Sequence, residues 1–293
     1  MKKLIATLLV AAVWPFVAQA QVSFPYPAIP DVIVDEQARL AYVLEHFWDN
    51  YHFDDLSQLN RDTGEQGFVD FINLMQYADS LTCAFAAQTL ADSITSTEPR
   101  LQHFDGIIDH YLGNPDSPMK NDVTYAHLLR AVTQRLPDGH AVKSRLAFRL
   151  ALVVRNQPGM LAADFDYIDR QGHHHRLYDI ESPLTLIVFS DPECEHCHEI
   201  MPRIISNTTL QSDPRLTVLN IYPDDNRKAW EQDVKALPAN WREGRSPEGE
   251  MMKKQIYALP ALPSLYLLDS QKRVLVKDGT LEQVVERIVN SEK

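Results

Sequence analysis

The stretch Leu184-Thr185-Leu186-Ile187-Val188-Phe189-Ser190-Asp191-Pro192-Glu193-Cys194-Glu195-His196-Cys197-His198 decides how this chain is read. It opens with an uncharged, apolar run that is too short for a helix and has no polar face, the pattern of a strand buried on both sides. Pro192 closes the following turn, so Cys194 falls where a helix would begin and Cys197 falls inside its first turn. Unpaired N–H groups and partial positive charge at a helix start favour an anion, which here means the thiolate of Cys194. A thiolate attacks disulfides, and Cys197 is within reach of the mixed disulfide that results. The pair is therefore expected to cycle between two thiols and a Cys194–Cys197 disulfide. His196 supports the thiolate, while Glu195, Glu193 and Asp191 oppose it, because nearby negative charge disfavours a second anion.

Downstream and upstream of this stretch the apolar period differs. From Asp31 to Arg155 the spacing is helical, with one stripe at Phe104, Ile107, Ile108, Tyr111 and Leu112. A second stripe runs Phe71, Met75, Ala78, Leu81 and Phe85, and a third Tyr125, Leu128, Leu129, Val132 and Leu136. Four or five helices are expected, with Cys83 as an inert buried thiol and Trp48, Tyr51 and Phe53 in the core. After Pro158 short strand-like runs alternate with helical ones, which predicts an α/β domain around a central sheet. Strands are expected at Phe165–Ile168, Leu184–Phe189, Leu216–Tyr222, Ser264–Leu268 and Arg273–Val276. Helices are expected near 195–209, 226–236, 248–256 and Thr280–Val289. The expected divisions are residues 1–20, 21–155 and 160–293.

Lys2 and Lys3 precede an apolar run ending in Ala18-Gln19-Ala20, the pattern of a signal peptide cleaved near Ala20 and an exported, periplasmic protein. The run is short for a membrane anchor, which is the alternative reading. The whole chain has a formal charge of −12; removing the two leader lysines gives (28 − 2) − 40 = −14. Nucleic acid and anionic membranes demand clustered Lys and Arg, so neither is expected as a partner.

Residues 160–293 resemble the thioredoxin-like family, most closely its extracytoplasmic TlpA/ResA-type branch. Asp164-Phe165 through Gly172 to Leu177 resembles that branch's opening hairpin, and Cys194-Glu195-His196-Cys197 its redox motif. Ala261-Leu262-Pro263-Ser264-Leu265 resembles its cis-proline strand, so Leu262 and Pro263 are expected to line the substrate groove, with Pro260 as the rival proline. The resemblance implies a thiol–disulfide oxidoreductase without a dissociable cofactor, acting on protein or small-molecule disulfides and thiols. Reduction is the favoured direction, with electrons supplied by a membrane thiol donor. Two residues depart from the family. Glu193 stands where a Trp is common, and Val188 where many members keep a buried carboxylate that takes the proton of the resolving thiol. Glu195, His198 or water are the candidates for that task. The first half, through Phe47-Trp48-Asp49-Asn50-Tyr51 and Phe53-Asp54-Asp55, resembles a helical domain of unknown function that precedes thioredoxin-like domains in exported Bacteroidetes proteins. It is read as a docking or partner-selection module.

Three rival readings compete. Cys194-Glu195-His196-Cys197-His198 also matches the attachment signature of c-type haem, with His198 as iron ligand and Met201, Met251 or Met252 opposite. The strand in front of it and the matched proline behind it favour the thioredoxin-like context. A zinc site would need His173-His174-His175 to join the cysteines; a solvated hairpin turn explains that run better, and no metal is expected. The third rival is a non-catalytic binding protein on a thioredoxin scaffold.

Overall fold

The computed structural model describes residues 24–54 and 62–291. The expected leader at 1–20 lies outside the described residues. The first half carries helices α1 (Glu36–His46), α2 (Asp62–Met75), α3 (Ser80–Ile94), α4 (Glu98–Ile108), α5 (Asp122–Arg135) and α6 (Ala141–Val153). Among the described residues that is one more than the upper expectation. The surplus comes from the second apolar stripe, which spans two helices. Asp79 caps α3 by accepting the Thr82 amide, so the chain turns between Met75 and Ser80 and starts a new helical phase. Phe71 and Met75 are buried, whereas Leu81 and Phe85 face outward, 81% and 50% exposed. The third stripe is buried throughout. The first slips by one residue into a π-helical turn at Asp109–Gly113, which keeps Leu112 inside.

Aromatic packing holds this half together. Phe24 stacks on Phe47 (5.0 Å between centroids) and Tyr51 (5.5 Å) and meets Trp48 edge-on. Gly67 of α2 lets the Phe24 ring approach the backbone, where any Cβ would strike it. Trp48, Tyr51 and Phe53 are core residues, as expected.

The second half forms a seven-stranded sheet from β1 (Asp166–Ile168), β2 (His174–Arg176), β3 (Leu184–Phe189), β4 (Leu216–Tyr222), β5 (Arg242–Arg245), β6 (Ser264–Asp269) and β7 (Val274–Val276). The spatial order is β2-β1-β5-β4-β3-β6-β7, with β3, β4 and β5 parallel and the remaining pairings antiparallel. All six residues of β3 are buried because both sheet faces are covered. Leu186 and Val188 pack against Ile204, Val284 and Ile288, from α7 (Glu195–Ser206) and α11 (Leu281–Asn290). Ile187 and Phe189 point the other way, into Phe165, Leu219, Tyr257 and Tyr266. Shorter helices α8 (Thr208–Ser212), α9 (Arg227–Asp233) and α10 (Glu250–Lys253) fill the connections, so the helix expected near 248–256 shrinks to four residues.

Two strands differ from the sequence expectation. His174–Arg176, read as a solvated turn, is β2, with only His173 left in the turn. Arg242-Glu243-Gly244-Arg245, where three of four residues are charged, is β5, outside the expected strands. It pairs with both β4 and β1, because its neighbours neutralise it. Glu243 accepts Arg170 Nε at 2.7 Å, Arg245 pairs with Asp225, and Gly244 gives way to the Tyr167 ring.

The halves are joined at Asn156, just past α6. Its side chain donates to the Ile256 carbonyl (3.1 Å) and accepts the Ala163 amide (2.8 Å). Lys277 is buried between them, pairing with Asp122 at 2.7 Å and donating to the Val153 carbonyl at 2.6 Å; Lys120 pairs with Asp278.

Candidate active site

β3 delivers the chain to the carboxyl edge of the parallel strands, where Pro192 and Glu193 turn it into α7. Cys194 is the N-cap of α7, extended at φ −90° and ψ 116°, and its sulfur accepts the backbone amide of Cys197 at 3.3 Å. The sulfur thus does the work that Ser or Asp does at other helix starts, and a negative charge on it meets the positive end of the helix dipole. Its thiol also reaches the carbonyl of Leu262 at 3.6 Å. The Leu262–Pro263 bond is cis, and β6 begins at the next residue, so Pro263 rather than Pro260 holds the position facing the cysteines.

Cys197 sits one turn deeper and is only 2% exposed. The Asp191 amide donates to its sulfur at 3.5 Å. Burial pushes the Cys197 thiol up to about 12, and the adjoining Cys194 sulfur and Asp191 carboxylate push in the same direction. The two cysteines are therefore unequal: one partly exposed and capping a helix, the other buried one turn further in.

His196 and Glu195 lie in the first turn of α7. The His196 ring is exposed and sits 3.8 Å from Glu199, an i,i+3 neighbour. His198 holds the Pro192 carbonyl through Nε2 at 2.7 Å, so the nitrogen that the haem reading needs is engaged in closing the turn. Val188 is buried, as its place in β3 demands. Opposite it in β4 stands Asn220, whose Nδ2 donates to Ser190 Oγ (2.8 Å) and the Val188 carbonyl (3.3 Å). A cavity of about 180 Å³ adjoins Cys197 and is lined by Ser190, Asp191, His198 and Met201. Asn220 escaped the sequence reading, and Asp191 enters it only as a charge opposing the Cys194 thiolate. Asp191 lies three positions before Cys194 and was legible as a charge, but its approach to Cys197 depends on how tightly the turn closes.

The histidine run stands apart from the cysteines. The β1–β2 turn runs toward the start of β5, where Arg170 meets Glu243, whereas Cys194 follows the end of β3. A zinc site shared by the two is thus ruled out by topology. Cys83, inside α3, donates its thiol to the Met75 carbonyl at 3.1 Å, and burial raises its pKa.

A cleft of about 700 Å³ lies between the α/β half and the helical half. Its near wall is His196, Ile200, Ala261 and Pro263; its far wall is the 115–118 loop with Lys120 and Val123. No periodic signal marks this loop, since Pro115 and Pro118 remove it from any helix.

Residues 5–156 match a family described as a domain of unknown function, DUF5106, just over half of the chain. The crystal structure of a thioredoxin-like protein from Bacteroides caccae is 29% identical and superposes with a TM-score of 0.82, covering 92% of this chain and 99% of that one. The C-terminal domain of an uncharacterized protein from Bacteroides fragilis is 31% identical over 46% of this chain and 98% of its own, at a TM-score of 0.44. The thioredoxin domain of a thiol-disulfide oxidoreductase from Bacteroides vulgatus is 16% identical over 47% of this chain and 99% of its own, at 0.42. Among curated proteins none matches. The similarity to the Bacteroides caccae protein runs through both halves, helical and α/β alike. This chain belongs to the DUF5106 family, with the helical domain set in front of a thioredoxin-like domain.

Proposed function

We propose that this protein is a thiol–disulfide oxidoreductase that acts outside the cytoplasm, with Cys194 as nucleophile and Cys197 as resolving thiol. One observation carries the reading: the Cys194 sulfur caps α7 and touches the carbonyl beside Pro263, while Cys197 waits directly below it. In that arrangement the Cys194 thiolate attacks a substrate disulfide, forming one S–S bond and expelling one thiolate. Cys197 then loses its proton and attacks Cys194 Sγ, which releases the second substrate thiol and leaves the Cys194–Cys197 disulfide. Without a carboxylate at Val188, the proton of Cys197 leaves through the cavity shared with Asp191, the acid whose charge is felt at that sulfur. Leu262 and Pro263 form the groove floor, and His196 stands at its rim. Reduction of substrate is the favoured direction, with a membrane thiol donor restoring the dithiol.

The helical half supports a role in selecting the substrate, since its 115–118 loop lines the same cleft as His196 and Pro263. The trapping experiment tests the reading. Replacing Cys197→Ser should leave substrate bound to Cys194 as a mixed disulfide recoverable from an oxidised periplasmic extract; recovery of none would remove the protein-disulfide substrate. The reduction potential of the pair against glutathione should fall near that of thioredoxin, roughly −270 mV, and a value near −120 mV would reverse the direction.

A further inference from the structure

The β1–β2 hairpin carries a second cluster of donor side chains, remote from the cysteines. Its turn is closed by two backbone bonds, Asp169 N–H to the His173 carbonyl at 3.1 Å and Gly172 N–H to the Asp169 carbonyl at 3.0 Å. Gly172 occupies φ +88°, which only glycine adopts readily and which folds His173 back over Asp169. Asp169 Oδ1 accepts the His173 amide at 2.9 Å, fixing the carboxylate plane and leaving Oδ2 free to face the rings. His173 Nδ1 lies 3.3 Å from that Oδ2, and His175 Nε2 lies 2.8 Å from it.

Because side chains alternate along a strand, His173 and His175 share a face and His174 takes the other. The His175 ring is stacked on Tyr167 at 5.2 Å and 25°, so its direction is set by packing. The three donor atoms all lie within 4.8 Å of one another. Ligands around a tetrahedral cation with bonds of about 2.1 Å stand roughly 3.4 Å apart, so small rotations of two rings suffice to converge them.

We propose that Asp169, His173 and His175 form a binding site for a divalent first-row transition cation of the zinc, copper or nickel class, completed by water. Two imidazoles and one carboxylate suit those ions, whereas magnesium and calcium prefer sites built wholly of oxygen. The carboxylate held by a backbone amide and the ring held by Tyr167 are the supports that keep such ligands in place. The third ligand is a carboxylate four residues before His173, outside the histidine run and apart from the cysteines. The bound ion would clip the turn to β2 at the edge of the sheet, away from thiol exchange, so the inference stands apart from the redox reading.

The test uses the full chain without a polyhistidine tag, with Cys194→Ser and Cys197→Ser to remove competing thiolates. Zinc chloride titrated calorimetrically should bind one ion per chain and raise the melting temperature. His175→Ala or Asp169→Asn should weaken binding at least about tenfold while the metal-free circular dichroism is unchanged. Equal affinity in those variants, or no stoichiometric binding to the parent, overturns the proposal. Should a variant fail to fold, copper(II) bound to the parent chain decides by electron paramagnetic resonance. Coupling to two imidazole nitrogens supports the site, and coupling to none refutes it.

Discussion

Cys83 and the Cys194–Cys197 pair occupy opposite surroundings within one chain. Cys83 lies inside a helix, enclosed by the first half's core, with its thiol donated to a carbonyl. Cys194 lies at the very start of a helix, half-exposed, with its sulfur accepting an amide. The first environment favours the neutral thiol, because burial penalises charge; the second supplies donors to an anion. Reactivity therefore follows from position along a helix and from depth, not from the presence of sulfur. The same contrast divides the halves. The helical half packs aromatic rings around Phe24, Phe47 and Trp48, while the α/β half brings cysteines, a proline and an acid to one sheet edge.

The largest expected effect breaks the comparison outright if it fails. Cys194→Ser should lower the rate of reducing a test disulfide on the order of a hundredfold or more, while Cys83→Ser leaves it unchanged. Equal rates in wild type and Cys194→Ser would make the protein a binding module on a redox scaffold. Next comes the seam between the halves. Lys277→Met removes a buried ammonium and strands Asp122 and the Val153 carbonyl, so stability should fall by about 3 kcal/mol. Scanning calorimetry should show the loss, and an unchanged melt would mean that the halves are held by other contacts.

Thiol titration sharpens the contrast within the pair. Cys197 keeps its proton until about pH 12, well above the ordinary value, so its charged form is absent near neutrality. Iodoacetamide should modify Cys194 at least about ten times faster than Cys197 between about pH 6 and 9. The sign follows from the raised value: Cys197 gains reactivity only as pH climbs toward its own titration. Mass spectrometry of partly alkylated protein reads the order. The smallest effect belongs to Cys83→Ala, which should cost about 1 kcal/mol in chemical denaturation, through a small cavity and a lost thiol donor.

Some of this was legible in the residues. The uncharged run Leu184–Phe189 announced a doubly covered strand, and the cysteine spacing after Pro192 placed one sulfur at a helix start. β5 was not legible, because Arg242, Glu243 and Arg245 belong to the sheet only through partners at Tyr167, Arg170 and Asp225. The Phe71–Phe85 stripe misled for a local reason. A helical period continued by coincidence across a turn that the Asp79 cap had already ended.

The sequence alone determined the quantities that act over a few residues: the buried character of β3, the capping position of Cys194, the one-turn offset of Cys197 and the proline before β6. Tertiary structure decided what depends on distant segments meeting. It buried Cys197 beside Asp191, set the 115–118 loop in one cleft with His196 and Pro263, and turned His173 and His175 onto Asp169. The division has a physical cause. Strand and helix periods and caps are short-range and written in consecutive residues, whereas burial and the sharing of a charge depend on which surfaces pack together, and that is settled by the whole chain at once.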